Sequence, residues 1–168
     1  MFYDLIATKK TKEMEEMAKK LGLTLYSLQD LKNFKIVDAT NDELIRTNLE
    51  KKHIDILLNP HQGREKDHLH FRNSGLNHVL CALANKNNIS IATSLDQCYT
   101  ALDLGKIMQN IMLCRKYKLP FLFLSLAKTP YELRNPRDVI SLGKVLGMSS
   151  QDAKLSVTAL QEILNRKN

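Results

Sequence analysis

The sequence predicts an α/β protein built on a parallel sheet with helices outside it. Three observations lead there. Short apolar runs alternate with segments of helical periodicity along the chain, the signature of strand–helix units. The runs Ile54-Asp55-Ile56-Leu57-Leu58 and Phe121-Leu122-Phe123-Leu124-Ser125-Leu126 are nearly continuously apolar, as in strands covered on both faces. No linker, repeat or low-complexity stretch interrupts the 168 residues, so residues 1–168 are expected to form one domain. A TIM-barrel-like parallel barrel, or an incomplete one with about six to seven strands, fits.

The elements read in order as follows. Phe2–Ala7 is a strand. Thr11–Leu21 is a helix with Met14, Met17, Ala18 and Leu21 at helical spacing, stopped by Gly22. Leu23–Leu28 and Lys35–Ala39 are strands. A helix capped by Thr40 or Asn41 runs to about Lys52. Ile54–Leu58 is a strand ended by Asn59-Pro60, and Leu76–Lys86 is a helix entered from a cap at Asn73 or Ser74. Ile89–Ser94 is a strand, Leu102–Tyr117 a long helix and Phe121–Leu126 the last strand. The tail is helical over Pro136–Leu146, Ala153–Val157 and Leu160–Asn165.

Hydrophobic residues make up 43% of the chain, enough for a real core. The formal charge is +7, and its distribution is uneven. Residues 1–104 hold fourteen basic and fourteen acidic residues, while residues 105–168 hold eleven basic against four acidic. Solubility does not require such segregation, so an anionic partner is expected at that end. Cys81, Cys98 and Cys114 form no CxxC pair and lie in or beside helical apolar patterns, which suits reduced, buried thiols in a cytoplasmic protein. The opening residues run straight into a strand pattern rather than a signal peptide, and no apolar run is long enough to span a membrane.

Several constellations bear on chemistry. In Leu133-Arg134-Asn135-Pro136-Arg137, Pro136 suits the first turn of a helix and Asn135 its cap. Val139, Ile140, Leu142, Val145 and Leu146 form the apolar face. Arg134 and Arg137 then stand at a helix N-terminus that already favours anions, and Lys144 lies further along. The plainer reading is a capped helix with solvated arginines. Arg115, Lys116 and Lys118 end the long helix beside Tyr117. The helix dipole accounts for part of that cluster, and phosphate contact for the rest.

The stretch after Leu58 is long for a strand-to-helix loop and carries Arg64, Lys66, His68, His70 and Arg72. One reading is cationic contact with RNA. Another is a metal site formed by His61, His68 and His70 with Asp67, as in metal-dependent phosphoesterases. A third is an exposed loop with uncommitted histidines. Asn73, Asn77 and His78 suit loop anchoring or direct RNA contact. Ser125 has no evident His/Asp partners for a serine hydrolase, and the chain has no P-loop or GxGxxG motif.

At Asn59-Pro60, Arg72-Asn-Ser-Gly-Leu-Asn-His-Val-Leu80, Leu113-Cys-Arg-Lys-Tyr-Lys118 and Leu133-Arg-Asn-Pro-Arg-Asp-Val-Ile-Ser-Leu-Gly143, the chain resembles the archaeal ribonuclease P protein component 3 family. This family is the counterpart of the thirty-kilodalton human subunit. The resemblance is dense from about Ile54 to Met148. It implies a barrel related to the polymerase-and-histidinol-phosphatase (PHP) phosphoesterases. It also implies a subunit role in the ribonucleoprotein that removes the 5′ leader of precursor tRNA. The implied partners are the RNase P RNA, the component 2 protein in a two-plus-two heterotetramer, and other RNase P proteins. The RNA would carry catalysis and its Mg2+, with no catalytic residue, metal or cofactor held by this chain. The PHP relatives carry Asp-x-His-x-His at the first strand. Here it reads Asp4-Leu5-Ile6-Ala7-Thr8, without histidine, which counts against the alternative of a stand-alone metal-dependent phosphoesterase. Against typical members of the family it resembles, the chain looks one strand–helix unit shorter between Leu28 and Lys35, so an open edge in need of cover is expected there.

Overall fold

The computed structural model describes residues 1–38, 41–64, 66–67, 69–70, 72–95 and 100–166. Their elements run β1 (Phe2–Ile6), α1 (Lys12–Leu21), β2 (Leu23–Ser27), β3 (Ile36–Asp38), α2 (Asp42–Lys51), β4 (Ile56–Leu58), α3 (His78–Lys86), β5 (Ser90–Ser94), α4 (Ala101–Lys116), β6 (Phe121–Leu124), a 3-10 turn at Pro130–Glu132, α5 (Pro136–Val145), α6 (Ser150–Leu155) and α7 (Leu160–Asn165). Local chemistry sets the helix starts. Side chains of Thr11, Asn41, Asn77, Thr100, Asn135 and Ser149 each accept a backbone N–H in the first turn of the helix that follows. Gly22 ends α1 in the left-handed conformation at φ 70°.

Every strand pairing is parallel. β1 pairs with β2, and the other four strands follow the order β3-β4-β5-β6. Just beyond the strand ends, Leu126 N–H donates to Leu5 carbonyl at 3.0 Å and Ala7 N–H to Ala127 carbonyl at 3.2 Å. Toward the other end, β1 and β6 part around the Ser156-Val157 segment. Tyr3 N–H donates to Val157 carbonyl and Phe123 N–H to Ser156 carbonyl. The six described strands therefore follow one arc, β2-β1-β6-β5-β4-β3, a TIM-like barrel left open between β2 and β3.

The opening falls where the sequence is one unit short. No helix joins β2 to β3, so the strand–helix alternation expected from the sequence breaks at this point. Leu28, Leu31 and Phe34 of the connection pack against the barrel interior. That interior is filled by Leu5, Ile56, Leu58, Leu122 and Leu124, with Leu160, Ile163 and Leu164 of α7 packed onto them. A second cluster lies between the outer faces of β4–β6 and helices α2–α6, and a third joins β1 and β2 to α1.

Three local expectations change. Asn77, rather than Asn73 or Ser74, caps α3, because its Oδ1 accepts the Leu80 N–H at 2.9 Å. Val145 is 78% exposed, and Gly143 takes its place in the buried face of α5. The second helix of the tail, α6, begins at Ser150, not Ala153, because Ser149 caps it. Cys81 and Cys114 are buried and free, and Cys98 lies outside the described residues. No described helix is long and apolar enough to cross a membrane.

Candidate nucleic-acid interface

In a parallel barrel the helices return antiparallel to the strands. Strand C-termini and helix N-termini thus share one rim, and helix C-termini lie at the other end. On the first rim, Asn59 follows β4 at φ 48° and ties three strand ends together. Its Oδ1 accepts the Ser94 N–H at 2.8 Å, while Nδ2 donates to Ser94 Oγ at 3.0 Å and to Asp38 Oδ1 at 3.2 Å. His61 is buried, with Nδ1 3.5 Å from Thr93 Oγ1.

The loop that follows is held from within. Arg64 donates Nε to the Pro60 carbonyl at 2.9 Å and Nη1 to Asn73 Oδ1 at 3.0 Å, and it pairs with Asp42. Its side chain is only 7% exposed. Lys106 of α4 is fully buried and donates to the Arg64 carbonyl. Asn110 Nδ2 donates to Ser74 carbonyl at 2.9 Å, and Gln109 Nε2 to Arg72 carbonyl at 3.3 Å. Asn73 N–H donates to Asp67 Oδ1 at 2.9 Å. Gly75, at φ +82°, lies so near Pro60 that a Cβ would stand 1.8 Å from its carbonyl oxygen. The guanidinium of Arg72 lies across Gly105 of α4. Arg64, expected as an RNA contact, is thus spent on shaping this loop and almost wholly withdrawn from solvent, whereas Arg72 remains exposed with its guanidinium beside Gly105.

The remaining candidates divide between the two ends. Lys66 and His70 are exposed on the loop, and His68 lies outside the described residues. Arg134 and Arg137 are exposed on the same rim at the entry to α5. Arg134 Nη1 donates to Tyr131 carbonyl at 3.0 Å, and Asn135 Oδ1 accepts the Arg137 N–H at 2.9 Å. Arg115, Lys116 and Lys118 lie at the opposite end, where α4 stops, and Lys144 stands in the last turn of α5. Lys116 Nζ sits 6.0 Å from the Tyr117 ring centroid, and the His78 ring is 5.8 Å from the same ring. Sequence reasoning missed Asn59 as a hub, the buried Lys106 and the cation Arg166. Asn-Pro after an apolar run marks a strand end, but nothing local shows which strands that amide joins.

Among the described residues, no three His, Cys, Asp or Glu side chains gather to hold a metal ion. The histidine-free first strand likewise does not fit a PHP-type metal centre, so no catalytic step is derived through one. Asp4 serves another purpose. It is buried, and its Oδ1 accepts N–H groups of Leu5 at 2.8 Å and Ser125 at 2.9 Å. Burial pushes its pKa up to about 6 against the opposing effect of these hydrogen bonds. Burial also pushes the Cys81 thiol up to about 11 and Cys114 well above its ordinary value, so neither is an activated nucleophile.

These elements make an open, TIM-like parallel barrel with exposed basic residues at both ends. The family described as RNase P subunit p30 is matched over residues 13–168, and the chain belongs to it. It is 30% identical over 140 residues to ribonuclease P protein component 3 of Methanococcoides burtonii, covering 79% of this chain and 55% of that protein. The protein of the same name from Methanothermobacter thermautotrophicus is 30% identical over 129 residues, covering 73% of this chain and 50% of that one. The chain thus spans about half the length of these curated relatives. A chain in a cryo-EM structure of archaeal ribonuclease P with mature tRNA shares the fold at a TM-score of 0.72. It is 19% identical, with 98% of this chain and 80% of that chain covered.

Proposed function

We propose that this chain acts, as one barrel domain over residues 1–168, as a protein subunit of ribonuclease P, supporting the RNA that removes the 5′ leader from precursor tRNA. Membership of the RNase P subunit p30 family carries the reading. The segregated positive charge and the exposed Arg134 and Arg137 at a helix N-terminus support it physically. On this reading the catalytic groups and their Mg2+ belong to the RNA, and this chain supplies phosphate contacts and a docking surface. Its partners are the RNase P RNA, the component 2 protein in a two-plus-two heterotetramer and the other RNase P proteins, in the cytoplasm. Lys66, His70, Arg134 and Arg137 face RNA at one end, and Arg115, Lys116, Lys118 and Lys144 at the other. Arg64, Arg72, Asn73 and Asn77 hold the surface in shape.

The test is cleavage of precursor tRNA by the cognate RNA subunit, with this chain plus component 2 and with each omitted. The pair should lower the Mg2+ needed, and this chain alone should cleave nothing. Cleavage by the chain without RNA would overturn the reading. Arg134→Ala with Arg137→Ala should weaken activation and reduce the salt slope of RNA binding by about 1 to 2, the loss of two phosphate contacts. An unchanged slope would remove these arginines from the interface.

A further inference from the structure

At the end of the barrel opposite Arg134, a cavity of about 320 Å³ opens between the end of α4, the start of β6 and helices α6 and α7. Its floor is apolar, formed by Ile111, Leu122, Met148 and Ile163. Leu155 stands at its mouth, 45% exposed. Barrels bury such surface or fill such space with side chains, and this volume lies in the range of ligand sites.

Three cations surround the opening, each from a different stretch of chain: Arg115 in the last turn of α4, Lys118 in the turn before β6, and Arg166 beyond α7. Among the described residues none of the three forms an ion pair. Two acids also line the cavity. Asp152 accepts from the Ser149 hydroxyl at 2.7 Å as part of the α6 cap, so three cations stand against two carboxylates and a net positive charge remains at the opening.

An apolar hole ringed by cations suits a ligand with a flat, weakly polar body and anionic links on either side. A nucleotide in single-stranded RNA has that form. Its base can leave the stack and enter an apolar pocket, while the flanking phosphates meet Arg and Lys. A base paired in a duplex cannot enter. We propose that this cavity takes one unpaired RNA nucleotide, with the base over Ile111, Met148 and Ile163 and the adjacent phosphates on Arg115, Lys118 and Arg166. The proposal rests on the ribonuclease P reading above and deepens it. It makes the RNA contact at the end of the barrel far from Arg134 and Arg137 one with an unpaired nucleotide rather than with a duplex backbone.

The test measures fluorescence anisotropy of a labelled single-stranded oligoribonucleotide and of the same sequence as a duplex, titrated with the full chain at several salt concentrations. The single strand should bind about tenfold tighter, the scale of removing roughly 55 Å² of base surface from water. Leu155→Glu, a change at an exposed position, should abolish that preference by weakening the single strand far more than the duplex. Arg115→Ala, Lys118→Ala and Arg166→Ala together should lower the single-strand salt slope by about 2. Equal affinity for strand and duplex, or a preference that survives Leu155→Glu, overturns the proposal. An acidic peptide that binds the wild type, fails to bind Leu155→Glu and is not displaced by the single strand also overturns it, in favour of a protein occupant.

Precursor-tRNA cleavage with the same variants separates the two readings. Wild-type activation that both variants retain in full removes the cavity from RNA binding and leaves the subunit role intact. Absence of activation by the wild type removes both.

Discussion

The guanidinium of Arg72 lies against Gly105, so that a Cβ built on that glycine would stand 2.1 Å from Nη1. A bare helix backbone here receives an arginine from a loop more than thirty residues earlier in the chain. Gly75, in the same loop, presses instead on backbone, at 1.8 Å from the Pro60 carbonyl oxygen.

These two glycines should respond differently to alanine. Gly75→Ala meets rigid backbone at a positive φ and should cost at least about 2 kcal/mol. Gly105→Ala meets only the end of a flexible side chain and gains helix propensity of about 1 kcal/mol, so stability should hold or rise. Its effect should appear in the loop, as faster proteolysis between Arg64 and Arg72. Chemical denaturation and limited proteolysis of the two variants check this. Equal destabilisation would show that Arg72 cannot yield.

Asp4 makes folding sensitive to pH. Its folded pKa of about 6 lies above the ordinary 3.8, so the native state holds its proton more tightly. Its contribution is fully present below about pH 4, declines as pH rises and is lost above about pH 6, a change of about 3 kcal/mol. Asp4→Asn keeps the oxygen that accepts from Leu5 and Ser125. Subtracting its stability curve from the wild type's should leave a slope confined to that window. A flat difference would place Asp4 in a wetter site.

Asn59→Ala should be among the more damaging polar changes in the chain. It removes bonds to Ser94 and Asp38 and leaves the buried Ser94 N–H without its acceptor, a cost of about 2 to 4 kcal/mol. Hydrogen exchange should speed first at the C-terminal ends of β4 and β5. Exchange that rises uniformly would mean the hub only adds to global stability.

The sequence by itself determined what depends on neighbours within a few residues. Caps at Asn41 and Asn135, the stop at Gly22 and the apolar runs of β4 and β6 are local physics, and they stand where the pattern put them. The charge excess of the last third was equally legible as a property of the chain, while the missing unit between Leu28 and Lys35 was legible only against the family pattern that the chain resembles. Only the tertiary structure decided which cations face solvent. Arg64 and Lys66 look alike in sequence, yet Arg64 turns inward to Pro60, Asn73 and Asp42. It likewise split Arg134 and Arg137 from Arg115 and Lys118, because crossover helices carry the chain from one end of the barrel to the other. The same return path brings Arg166 beside Arg115, about fifty residues apart, around one cavity. Such proximity depends on how distant elements pack, and no short-range pattern encodes it.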